Sequence, residues 1–182
     1  MDKLIYSFEI AFKHLCQVST LHQILFLIIF GVFFGLKDWK TYLLLLLALC
    51  SGSLVGLSLA VFKAVSLSKA TIHLLAIISL VAVSLNAIFS NRISALHYNI
   101  FVIIGIMQGF VLRLHYKMAL GTSVKFFSFT GYNLGSFAAF FLISFLSLLT
   151  CTLILSLFRT DKHKISLVLA GLGLGVALMM YF

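Results

Sequence analysis

The chain of 182 residues contains no proline and only four acidic residues, Asp2, Glu9, Asp38 and Asp161. Charged residues make up 9% of it, against about 25% in an ordinary soluble domain. That scarcity excludes a soluble domain and a disordered tail. Three cysteines, Cys16, Cys50 and Cys151, form no CxxC pair and each lies in or beside an apolar stretch, so they read as small buried hydrophobes rather than a disulfide framework or a metal knuckle. Four carboxylates, all near charge clusters, leave none for acid–base chemistry inside an apolar core or for an ion pump built on an intramembrane Asp or Glu. No nucleophile–base pair and no phosphate loop is visible, so neither an enzyme nor a cofactor is expected.

What is present is hydrophobic. Apolar residues account for 63% of the chain, 19 of them phenylalanine, and the mean hydropathy is +1.20. The composition predicts an all-α, polytopic transmembrane bundle forming a single membrane domain over 1–182, with the lipid bilayer as its first partner. Thirteen Lys and Arg give a formal charge of +9, and they sit between apolar runs. There they suit anionic headgroups, and no nucleic-acid partner is expected. A β-barrel is excluded because its strands alternate apolar and polar residues, whereas 43–47 is an unbroken leucine run.

A charge at mid-bilayer costs about 2.5–3.5 kcal/mol, so charges mark the membrane surfaces. Between the clusters lie charge-free intervals at 14–36, 41–62, 70–91, 93–112, 126–158 and 165–182. A span needs roughly 20 residues, which predicts six, at about 22–36, 41–62, 70–90, 94–112, 134–158 and 165–182. The interval 126–158 is too long for one span, and its glycines and asparagine (FFSFTGYNLG, 126–135) suggest a lead-in or broken turn before a helix from about Leu134. At the amino end, Leu4, Phe8, Phe12 and Leu15 recur at helical spacing, predicting an amphipathic interfacial helix over 3–18. Asp2 and Glu9 interrupt the start and no cleavage site follows, so no cleavable signal peptide is expected. With six spans both termini share one face; seven basic residues there against six opposite leave the orientation open.

Polar groups within the spans are the candidate site. His14, His22 and Gln23 stand at the mouth of the first span, His73 opens the third, Gln108 lies deep in the fourth, and Asn133 sits at the start of the fifth. On one unbroken helix His14 and His22 would be about 80° apart, but a break at 17–20 would let them converge. They read either as imidazole ligands or as headgroup-level side chains bonded to water. Gly105 and Gly109 form a GxxxG, a helix-packing pattern, and Gly171 and Gly175 repeat it.

The order of these marks resembles the HupE/UreJ family of small membrane proteins, regarded as nickel or cobalt permeases. The stretch FKHLCQVSTLHQILF (12–26) is similar to the family's opening, with His14 at its first histidine and His22-Gln23 at its Asp-His pair. LKDWK (36–40) looks like the loop after the first span. SGS (51–53) places Gly52 at a family histidine, IHLL (72–75) opens the third helix, IGIMQG (104–109) places Gln108 at a histidine, and YNLGSF (132–137) keeps Asn133, Leu134 and Gly135. The resemblance implies a membrane bundle of about six spans in a bacterial inner membrane. With His14 at a matching position, a transporter of this type would take His14, His22 and His73 as metal ligands and Gln23, Gln108 and Asn133 as pocket lining, with Gly105, Gly109 and Gly135 as packing positions. Two functional readings stand: a divergent transporter of nickel, cobalt or another small solute, and a non-transporting scaffold that kept the fold and assembles with a membrane partner or a second copy.

Overall fold

The computed structural model describes residues 2–17, 20–33, 38–89, 95–121, 126–158 and 161–182, and these form helices with no strand among them. In chain order they are α1 (Asp2–Leu15), α2 (Leu21–Val32), α3 (Trp39–Val61), α4 (Lys69–Phe89), α5 (Ala95–Leu120), α6 (Phe126–Phe158) and α7 (Lys162–Tyr181). The last five are long and apolar enough to cross a membrane. Large apolar side chains such as Leu47, Leu153, Val168 and Met179 are exposed on them. Such a surface suits hydrocarbon rather than water, and the chain is an integral membrane protein with an all-α bundle fold.

Neighbouring contacts give the direction of each helix. Gly52 of α3 lies against Val102 of α5 and Gly56 lies against Ile106, so these two helices run in the same sense. Gly131 of α6 meets Leu4 of α1, and Gly135 meets Phe8, so α1 and α6 also run together. Helix α4 opposes α7: His73 meets Met180 and Ala87 meets Ser166. The two termini therefore lie at one face, called here the terminal face, where α3 and α5 end and α4 and α6 begin.

The first pass is made of two pieces. Helices α1 and α2 follow α6 in turn, separated by a turn in which the Thr20 hydroxyl lies 2.7 Å from the Gln17 carbonyl and 3.1 Å from that of His14. Helix α2 has 12 residues, about 18 Å, too short to cross a ~30 Å core unaided. Of the first span expected at 22–36, residues 22–32 are helical and 34–36 lie outside the described residues.

Three expectations need revision. The lead-in at 126–133 is regular helix, part of a 33-residue α6. Its glycines do not break the chain, because α1 covers them and their missing side chains make room for its backbone. The fourth span does not end at 112; α5 continues to Leu120 and carries Arg113 and Lys117 on its last turns. The buried face of α1 is Ser7, Ala11 and Leu15, one step round from the expected stripe, and Phe8 is left exposed. Small Ser and Ala side chains occupy the contact because the helix backbones themselves approach there.

The α3–α5 contact is close and carries a double glycine seam. Gly52 and Gly56 face Gly105 and Gly109, and a Cβ on any of the four would strike backbone atoms of the partner helix. On α7 the pattern is different: Gly173 packs against Ser84 and Ile29, whereas Gly171 and Gly175 have open space beside them. Gly56→Ala and Gly109→Ala are each expected to destabilise the bundle by about 1–3 kcal/mol, since backbone cannot move aside. Gly171→Ala should be neutral or stabilise by up to about 1 kcal/mol. Unfolding midpoints in mixed micelles with rising dodecyl sulfate check both.

Candidate functional site

Three amide and hydroxyl side chains meet at the centre of the bundle. Gln108 is near the middle of the 26-residue α5, and Ser79 near the middle of the 21-residue α4. Gln108 Nε2 donates to Ser79 Oγ at 2.8 Å, and Ser79 in turn donates to the Ala76 carbonyl at 2.8 Å. From α2, Gln23 Nε2 points to Gln108 Oε1 at 3.5 Å, a long contact. Gln23, Gln108 and Ser79 are 2% exposed or less. Gln23 Oε1 is buried and has no hydrogen-bond partner among the described residues. A buried acceptor left unpaired costs about 1–3 kcal/mol, so this junction has unused capacity for a donor.

Gln23 is only the third residue of α2, which therefore begins at mid-bundle. Its first turn holds no acidic residue, and Thr20 at its N-cap makes no side-chain capping bond. The first N–H groups of a helix have no partner within it and carry the positive end of its dipole. A donor-rich backbone end thus lies beside the amide cluster inside the membrane, the arrangement that broken helices give solute sites in transporters.

Toward the terminal face the polar track continues through imidazoles and phenols. His14, in the last turn of α1, stacks face to face on His115 of α5, ring centroids 3.3 Å apart and planes within 5°. His115 Nδ1 lies 3.2 Å from Tyr132 Oη, which donates to the Leu112 carbonyl at 3.2 Å. Tyr116 meets Tyr132 edge-on at 5.1 Å. His22 is half-buried, with His14 and His73 as its electrostatic neighbours. His73 is exposed, and its Nε2–H donates to the Met180 carbonyl at 3.0 Å, tying α4 to the end of α7.

The expected residues thus separate. Gln23 and Gln108 come together, while His14 and His22 lie just above them along the track. Asn133 is buried but gives its Nδ2–H to the Phe129 carbonyl of its own helix at 2.9 Å, away from the cluster. Gly105, Gly109 and Gly135 lie in helix contacts. The three-imidazole metal set is not assembled: among the described residues no three His, Cys, Asp or Glu form a group that could hold a metal ion. The physical reason is that His14 is taken up in stacking and His73 in a carbonyl bond at a helix end. Cys16 is exposed, and Cys50 and Cys151 are buried, all three free.

Sequence reasoning missed Ser79, His115 and Tyr132. His115 falls between Arg113 and Lys117, a stretch that reads as surface punctuation; two or three extra turns of α5 bring it inward. Ser79 is one of many serines, and only its depth distinguishes it. Comparison with protein-family models, with curated proteins and with solved structures finds no match for this chain.

The bond lengths rank the two contacts of Gln108. In a double-mutant cycle, Gln108→Leu with Ser79→Ala should show a coupling near 0.6–1.7 kcal/mol, the range of hydrogen bonds between membrane helices. Gln108→Leu with Gln23→Leu should show less. The same micellar unfolding assay measures both, and the reverse order would contradict the geometry.

Proposed function

We propose that this protein is a transporter of the HupE/UreJ-like kind, in a bacterial inner membrane, that passes a small polar solute along the interrupted first pass. One observation carries this reading: α2 begins at mid-bundle beside Gln23, Gln108 and Ser79, with an unpaired buried acceptor on Gln23. The unpaired oxygen can accept a hydrogen bond from a solute, and the uncapped helix start can donate one. His14 and His115 form the neck between this junction and the terminal face. Their stacked rings have to part before a solute passes. The chemistry is uncharged, which suits a neutral or weakly charged solute. A nickel or cobalt ion, which the motif order suggests as cargo, would have only imidazole, amide and hydroxyl groups to replace its water. No catalytic step is part of this reading.

A scaffold role is the second reading, favoured by the open flank of Gly171 and Gly175 on α7. Like the glycines packed between α3 and α5, such a surface suits a helix backbone, here one from a membrane partner or a second copy.

Reconstituted vesicles separate the two. Stopped-flow light scattering would follow glycerol and urea entry, and an encapsulated metal indicator would follow nickel and cobalt. Transport predicts entry of at least one of these well above empty vesicles. Gln108→Leu should lower that rate roughly fivefold, the equivalent of about 1 kcal/mol. Rates equal to those of empty vesicles for every probe would overturn transport and leave the scaffold.

A further inference from the structure

Basic side chains from three segments converge at the terminal face, and no carboxylate lines the cavities between them. Arg113 is on α5 about two turns before its end, half-buried, and Lys117 follows one turn later. Lys63 stands just past α3 in a left-handed backbone conformation, φ 60°. A cavity of about 130 Å³ lies between them, lined by Lys63, Arg113, Tyr116 and Lys117. Tyr116 also lines that cavity, while its hydroxyl is buried without a hydrogen-bond partner among the described residues. A second cavity of about 480 Å³ adjoins it on the far side of Arg113 and Lys117, where Lys69 joins them and Ile72 and Met118 supply apolar wall.

A guanidinium on a membrane helix is costly to desolvate and is ordinarily found with an anion or in water. Among the described residues the only ion pair is Lys13 with Glu9 on α1, so none of Arg113, Lys117, Lys63 and Lys69 is paired with a carboxylate there. The smaller cavity is below the roughly 300–1,000 Å³ of sites that enclose a whole drug-sized ligand, which fits a headgroup-sized anion. Arg presents planar, forked donors that match phosphate oxygens, and two or three lysines add charge around it.

We propose that Arg113, Lys117 and Lys63 hold a phosphate group at the terminal face, with Lys69 and the apolar wall of the larger cavity receiving the remainder of the molecule that bears it. The phosphate belongs to an anionic phospholipid or to a soluble phosphate compound. The site is distinct from the solute track, which turns inward at His115, and it stands whether or not the protein transports.

The test uses the full-length protein in neutral detergent with phosphatidylglycerol, phosphatidylcholine or inorganic phosphate. Lipid retention is read by native mass spectrometry and stability by melting temperature. The expected result is that phosphatidylglycerol is retained and raises the melting temperature more than phosphatidylcholine does. R113Q/K117Q should lower retention roughly tenfold, whereas K40Q/K164Q, at the opposite face, should not. If R113Q/K117Q fails to fold, K63Q in the exposed turn should still weaken retention. Inorganic phosphate that raises the melting temperature or displaces the lipid assigns the site to a soluble phosphate; phosphate without effect assigns it to the lipid. Equal retention of the two lipids together with no response to phosphate would overturn the site, as would equal losses in R113Q/K117Q and K40Q/K164Q.

Discussion

Helices in hydrocarbon gain nothing by hiding apolar side chains from one another, because lipid tails are as apolar as leucine. Close contact between backbones is what remains, and it depends on positions with no side chain. In this protein that constraint is met at three contacts. Gly52 and Gly56 mesh with Gly105 and Gly109 to join α3 and α5, Gly131 and Gly135 admit α1 against α6, and Gly31 admits the backbone of α6 at Ser144 against α2. The rest of the bundle is arranged around these seams, with aromatic contacts such as Phe30 on Phe101 filling the wider gaps.

The polar interior follows from the same medium. A side chain that would bond to water elsewhere has to find a partner within the protein. Most serines and threonines do so locally, as Ser136, Ser144 and Ser147 do by donating to the carbonyl four residues earlier on α6. Gln108 cannot satisfy a whole amide that way, and it links α5 to α4 and α2 instead. At the mid-bundle junction three helices therefore share polar bonds, and the interrupted pass makes its entry.

Much of the fold was legible in the residue order because charge is excluded from hydrocarbon. The charge-free intervals at 41–62 and 70–91 contain nearly all of α3 and α4. Helix ends were less legible, since Arg113 and Lys117 can sit on a helix near its end and still reach the surface. The break at 126–133 was misread for a related reason: glycine weakens a helix in isolation, yet here each glycine is covered by another helix, which sequence spacing does not reveal. Gly105 and Gly109 read as a packing face from their spacing, but their pairing with Gly52 and Gly56 emerges only because α3 and α5 run in the same sense. Of the site, Gln23 and Gln108 were recognisable as expensive amides, while the part played by Ser79 and His115 depends on which helices neighbour one another.

Helix α6 has a further consequence for the surrounding lipid. Thirty-three residues extend about 50 Å, well beyond a ~30 Å hydrocarbon layer, and exposed apolar side chains continue from Phe126 and Phe127 to Leu157. A strong lean or a local stretching of the acyl chains has to absorb the excess, at a fraction of a kcal/mol for each ångström. Where stretching rather than leaning absorbs it, thicker patches and neighbours with equally tall hydrophobic belts are the favoured surroundings.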